Sequence, residues 1–564
     1  MASSVDKTNQ FVKEAISEPN TELSEIPHKQ KYIQPYRIEG LEDLEDYRKN
    51  GLHPVDILDI LDGRFEVCHK LGSGGIATVW LCYEAAYKRW RAIKISAASH
   101  SSVNSAELRI GKLFEEQAVT SKQLEMHHII LAEETFWLEG PNGKHLCSVL
   151  PVLGPSLLQW RDMIVGLNAE RIKRVCYEIT EGLHYLHEHG ICHGDFRPQN
   201  ILMRLVDGGL DHLDPDDLFG LISLPRRHEV HTLNGEDSLN APKWVVEPLR
   251  WFELKHLVSD RVGVVDFGEA FDVTSPPSFL GIPGSYASPE VAYGGGPFGK
   301  ESDIWSLALT MMEARTGVQL GDALNSPLNR MESFAGPIPP PYRSVAAEEL
   351  YQSQLRDFDA YGQRETAKPQ PLSEEMLKGT RSLTELFWMN SQAEGESHQE
   401  TKSPSPEGIE AELGRELWES VFVPEEENIG GENGATKMRP YRIPKRELTI
   451  LTDLLRRMLK YKPSDRLSTA SVLKHRWFKS SLENEQYGTE ELDEQLSDFW
   501  GEAGSSPVGE VANTSKPDHD TQNLKDVRYG WCHGIFSIMS GERTLLLSIC
   551  LPILLSLFIL WNIW

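Results

Sequence analysis

An eight-residue segment, His193-Gly194-Asp195-Phe196-Arg197-Pro198-Gln199-Asn200, constrains this 564-residue chain more than any other feature. It follows a stretch in which Ile172, Val175, Cys176, Ile179, Leu183 and Leu186 recur at helical spacing. That periodicity predicts a long amphipathic helix ending before Gly190, with the polar segment as the loop it delivers. That loop brings a carboxylate, Asp195, and an amide, Asn200, close together in the chain. Farther on, Val264-Val265-Asp266-Phe267-Gly268 ends an apolar strand in a second carboxylate followed by glycine. That is the arrangement a divalent metal bound to phosphates requires.

The N-terminal part supplies matching chemistry. Arg64 to Leu71 has strand character, Gly72-Ser73-Gly74-Gly75 is a turn, and Thr78 to Tyr83 reads as the return strand. Small residues in that turn let backbone amides approach phosphates, and Val79 would cover a flat heterocycle. Leu71, Gly72, Gly74 and Val79 are the candidate contacts. A third strand carries Ala92-Ile93-Lys94. An ammonium flanked by apolar residues needs a partner, because burying it alone is costly. Glu107, in Ser105-Ala106-Glu107-Leu108, is the first choice, with Glu115 and Glu116 as alternatives.

These segments occur in the order found in eukaryotic protein kinases, and the chain resembles that family, nearest to the SR-protein kinase-like group of fungal type. The resemblance covers roughly residues 50–480. It is carried further by His53-Pro54-Val55-Asp56, Asp62-Gly63-Arg64-Phe65, Thr78-Val79-Trp80-Leu81, Leu153-Gly154, Ser288-Pro289-Glu290, Asp303-Ile304-Trp305-Ser306 and Asp465-Arg466. It implies an α+β, bilobal protein kinase fold with a small β-rich lobe and a large helical lobe. It also implies Mg2+ and ATP as cofactors and transfer of the γ-phosphate to Ser/Thr hydroxyls. Lys94 would hold the α- and β-phosphates and pair with Glu107. Asp195 would accept the hydroxyl proton, and Arg197 would neutralise the moving phosphate. Asn200 and Asp266 would bind metal. Ala92, Leu202 and the backbone near Val152 and Leu153 would hold the adenine. Glu290 with Arg466 would form a buried ion pair, and Asp303 would brace the catalytic loop. Arg/Ser-rich, splicing-type proteins are the implied substrates.

Five positions depart from the family pattern. Ala77 stands for the third glycine, and Gly194 for the arginine before the catalytic aspartate. Ala287 stands for an arginine before Pro-Glu, and Pro151 for an acidic residue between the lobes. Gly111 stands for a bulky residue one turn after Glu107. The rival reading is a pseudokinase, a scaffold that binds nucleotide without efficient transfer.

Composition sets the limits. The net charge of -27, from 57 basic against 84 acidic residues, argues against direct nucleic-acid binding; it either keeps the chain soluble or attracts a basic substrate. The seven cysteines show no metal or disulfide spacing, which points to a reducing compartment. The expected domains are a flexible arm over 1–50, a small lobe over 51–153 and a large lobe over 154–480. Insertions at 203–260 and 318–445 are expected to be loops or small added helices. An acidic disordered linker is expected over 481–540. The uncharged stretch 544–564 would be a C-terminal transmembrane helix, anchoring a monomeric kinase to an internal membrane with the catalytic part in the cytosol. Without an anchor, the nucleus is the alternative location.

Overall fold

Period-two alternation builds the small lobe. The computed structural model describes residues 31–35, 40–164, 169–294, 296–318, 327–361, 370–392, 408–422 and 436–479. Strands β1 (Ile60–Leu61), β2 (Phe65–Gly74), β3 (Ala77–Glu84), β4 (Arg89–Ser96), β5 (Glu134–Gly140) and β6 (Gly143–Leu150) form one antiparallel sheet in the order β1-β2-β3-β4-β6-β5. Trp80, Cys82, Ile93 and Ile95 point to one face, where they bury against Phe65, Val67 and Val149. The alternate residues, Leu81 and Trp90, bury on the other face. Val79 pairs with Lys94 in the same register, so both belong to that second face. Helix α1 (Ala106–Glu116) follows β4 and carries Glu107 in its first turn.

The large lobe is helical. Helix α2 (Ala169–Glu188) buries Ile172, Val175, Cys176, Ile179, Leu183 and Leu186, the residues whose spacing predicts it. Helices α3 (Lys300–Thr316) and α4 (Lys445–Met458) join it in one core, with Trp305 and Trp477 wholly buried. Strands β7 (Ile201–Leu205) and β8 (Val258–Val264) pair antiparallel beside this core, with Met203, Val262 and Val264 buried in it. The result is a protein kinase fold, a β-rich small lobe on a helical large lobe.

One expectation needs correction, and the two insertions, expected as loops or small added helices, acquire a packing role. The arm expected over 1–50 is not free where it is described. Tyr32, Leu44 and Tyr47 are buried with Leu52, Ala97 and Val245, and Tyr32–Ile33 pairs as a strand with His231–Thr232. The 203–260 insertion is a packed cover on the small lobe. Its Leu218, Leu249 and Leu254 bury against Leu81 and Trp90, while Asp211 and the Leu213 carbonyl accept the backbone and indole N–H of Trp90. The described parts of 318–445 hold added helices, Pro327–Ala335 and the longer Arg343–Tyr361 among them, and add Leu328, Met331 and Leu383 to the large-lobe core. Buried Glu332 fixes them by accepting the amides of Ile338, Leu383 and Thr384. Among the described residues no helix is long and apolar enough to cross a membrane. The segments 481–540 and 544–564 lie outside them.

Candidate active site

Lys94 sits at the centre of the site. Its ammonium donates to Glu107 Oε1 at 2.7 Å and to Asp266 Oδ1 at 2.7 Å. Glu107 is therefore the helix partner, not Glu115 or Glu116. Burial pushes the Lys94 ammonium down, but the two carboxylates outweigh it and hold its pKa above the ordinary lysine value. Burial likewise pushes Asp266 up, yet the charge and hydrogen bond of Lys94 win, and Asp266 stays below its usual range. Asp266 adopts φ 62°, a left-handed conformation uncommon for a residue with a side chain. Phe267 beside it is buried, with its ring 5.2 Å from that of His193.

The catalytic loop is held from several sides. Asp303, buried on α3, accepts the amides of His193 at 2.9 Å and Gly194 at 3.0 Å, and meets His187 Nε2 at 2.9 Å. Thr310 of α3 donates to the Phe196 carbonyl. Asn200 Nδ2 donates to the backbone and the side chain of Asp195, both at 2.8 Å, which turns its own side-chain oxygen away from Asp195. The Val265 amide donates to the Asn200 carbonyl at 3.0 Å, so Asp266 is tied to the same loop. The expected Glu290–Arg466 pair is present and buried, at 2.6 and 2.7 Å.

Arg197 is placed more specifically than its residue type suggests. Its Nε donates to both oxygens of Asp195, at 2.9 and 3.0 Å. Burial raises the Asp195 pKa, and Arg197 opposes that rise. The cation thus sits on the base itself, partly open to solvent.

The remaining candidates frame the cleft. Gly72, Gly74 and Gly75 have open space beside them, with no atom within 4 Å of where a Cβ would stand. Ala92 is buried, and Leu71 and Val152 pack against the apolar patch that the 203–260 segment covers. The Gly154 amide donates to Met203 at 2.7 Å, and the Met203 amide to Pro155 at 2.9 Å. These two bonds tie the stretch that follows Val152 and Leu153 to β7, the strand that carries Leu202. Asp266 and Asn200 supply hard oxygen ligands and the glycine turn leaves room, so the residues fit Mg2+ and a nucleotide.

One departure acquires a physical reason, and a second does not. Gly194 has φ +78°, and a Cβ there would stand 2.3 Å from the Glu269 carbonyl. No arginine fits this position. The Glu269 side chain instead accepts the Gly281 amide at 2.8 Å, a fixed carboxylate tie to the segment after Asp266. Gly111 is different, because a Cβ there meets no atom within 4 Å. Glu269 and the buried Lys70–Glu42 pair were missed by sequence reasoning. Lys70 carried a usable signal, a lysine in an apolar strand, identical to the one that marks Lys94.

The protein kinase domain family matches residues 65–247. Human SRSF protein kinase 3 is 36% identical over 192 residues, 32% of this chain and 34% of that protein. Protein kinase dsk1 of Schizosaccharomyces pombe is 37% identical over 183 residues, 31% of this chain and 32% of that protein. The serine/threonine-protein kinase spk-1 of Caenorhabditis elegans is 34% identical over 170 residues, 30% of this chain and 17% of that protein. The chain therefore aligns with a third or so of these relatives at most. It carries a protein kinase domain, and that domain is similar to those of the SR-protein kinases.

Proposed function

We propose that this chain is a protein Ser/Thr kinase acting on Arg/Ser-rich proteins. The single observation that carries the reading is the Glu107–Lys94–Asp266 bridge standing beside an Asp195 that Asn200 and Arg197 orient. When bound, ATP supplies the phosphoryl group and Mg2+ the neutralising charge. Lys94 and the glycine turn position the phosphates, with Asn200 and Asp266 as the metal ligands. Asp195 takes the proton from the substrate hydroxyl, and Arg197 places positive charge where negative charge accumulates. These groups speak against the pseudokinase reading. The acidity of the chain supports a basic substrate, and the relatives' names supply the substrate class.

The full chain should transfer labelled phosphate from Mg-ATP to an Arg/Ser-rich peptide, and Asp195→Ala should not. No transfer, or equal transfer by both, would sink the proposal. A second element is the anchor. Residues 544–564 carry no charge, and as a helix would span about 31 Å, one bilayer core. We read them as holding the kinase to an internal membrane, facing the cytosol. Deleting them should move the protein to the soluble fraction, and an unchanged distribution would discard this reading.

A further inference from the structure

We propose that the segment 40–47 is part of the nucleotide site, a strap that positions the glycine hairpin from the face opposite the nucleotide. The inference rests on reading the cleft as a Mg-ATP site. Ser73 pairs with Thr78 across the hairpin, and Thr78 alternates with Val79 along β3. The two therefore face away from Val79 and Lys94. There the Ser73 hydroxyl donates to the Gly40 carbonyl at 2.7 Å. Gly40 adopts φ +83° and backs onto Pro248, leaving no room for a side chain. Its carbonyl is consequently aimed by its surroundings.

Two residues along, Glu42 accepts from the Lys70 ammonium and, at 2.6 Å, from the Tyr47 hydroxyl. Lys70 and Glu42 have almost no exposed side-chain surface. The Lys70 carbonyl accepts the Leu249 amide at 2.8 Å, so the 203–260 cover holds the same strand. Strand β2 is thus gripped at Lys70 and at Ser73, either side of Gly72. Three glycines in four residues would otherwise leave the hairpin tip free to sample many conformations. Fixing the tip before the nucleotide arrives removes an ordering cost from binding. Glu42 and Ser73 are positioning residues, since neither faces the nucleotide.

The test compares full-length wild type, Ser73→Ala and Ser73→Thr. The readouts are equilibrium binding of a fluorescent ATP analogue with Mg2+, and amide hydrogen exchange of residues 72–77 without nucleotide. Ser73→Ala should weaken binding about three- to tenfold, the worth of one hydrogen bond. It should also speed exchange in the hairpin while the melting temperature holds. Ser73→Thr keeps the hydroxyl and should match wild type in both. Unchanged binding or exchange in Ser73→Ala, or Ser73→Thr as weak as Ser73→Ala, would overturn the strap. Phosphotransfer separates this from the activity claim. A wild type that binds nucleotide and shows the Ser73 effects without transfer fails as a kinase and keeps its strap. A wild type that binds no nucleotide overturns the strap's role together with the cleft.

Discussion

Two lysines on one small sheet meet opposite fates. Lys94 on β4 lies between two carboxylates that are each partly open to solvent. Lys70 on β2 is sealed with one carboxylate, Glu42, under the strap. Their pKa values diverge accordingly. Burial alone would lower both. For Lys94 the double partner reverses the sign, while for Lys70 burial wins and the value stays below the ordinary one. A charge placed for chemistry keeps solvent access and surplus counter-charge, so it can exchange partners when phosphates arrive. A charge placed for architecture gives up both. Its net contribution to stability is small, but losing one partner is costly.

Lys94→Met and Lys70→Met should break in opposite ways. Removing Lys94 should cut phosphotransfer at least about a hundredfold, as loss of a preorganised charge does. The fold should survive, because Glu107 and Asp266 can hydrate. Removing Lys70 leaves the buried Glu42 charge with only the Tyr47 hydroxyl as partner, which should cost about 3–5 kcal/mol of stability. Denaturant melts beside transfer assays would show whether the two losses separate. Equal stability losses would erase the distinction. Lys70→Met combined with Glu42→Leu should return to within about 2 kcal/mol of wild type, since an apolar pair replaces an ionic one and only Tyr47 loses an acceptor. A double variant as unstable as the single one would mean that the buried charge itself organises the strap.

Arg197 extends the comparison to a third cation. It is to Asp195 what Lys94 is to Asp266, but here burial of the carboxylate wins and the Asp195 pKa lies above its ordinary value. A base must be deprotonated to work, so the acid limb of kcat/KM against pH should lie above the ordinary aspartate value of 3.8. Arg197 lowers that pKa, so Arg197→Ala should move the limb to higher pH. A limb that stays in place, with only the plateau reduced, would show that Arg197 acts on the phosphate and not on the base.

Much of this was legible from residues alone. The polar loop after a periodic helix, the carboxylate ending an apolar strand and the lysine inside one each signal chemistry, because each violates the usual burial rule and needs a partner. Lys70 violates the same rule in Val67-Cys68-His69-Lys70-Leu71. Its partner lies in a polar segment that reads as solvated, so the pairing does not show in the sequence. The 203–260 cover was illegible for another reason. Leu210, Leu218, Leu249, Trp251 and Leu254 follow neither a period of two nor one of 3.6, since short turns and not one long element present them to the sheet. Gly194 was legible as a departure. Its cause, the Glu269 carbonyl beside it, comes from the short helical turn after Asp266, far along the chain, and exists only in the fold.

The smallest expected effect lies on the helix that supplies Glu107. Gly111 occupies the middle of α1, where glycine costs about 0.5–1 kcal/mol relative to alanine. Space does not demand it, as a Cβ there would touch nothing. Gly111→Ala should therefore stabilise the protein by about 0.5–1 kcal/mol, read as a modest rise in melting temperature. If the glycine only weakens the helix, the alanine variant should also hold Glu107 on Lys94 more of the time and leave transfer equal or slightly faster. If transfer falls while stability rises, helix α1 must bend or shift during turnover. The openness that distinguishes Lys94 from Lys70 would then extend to the element that carries its partner.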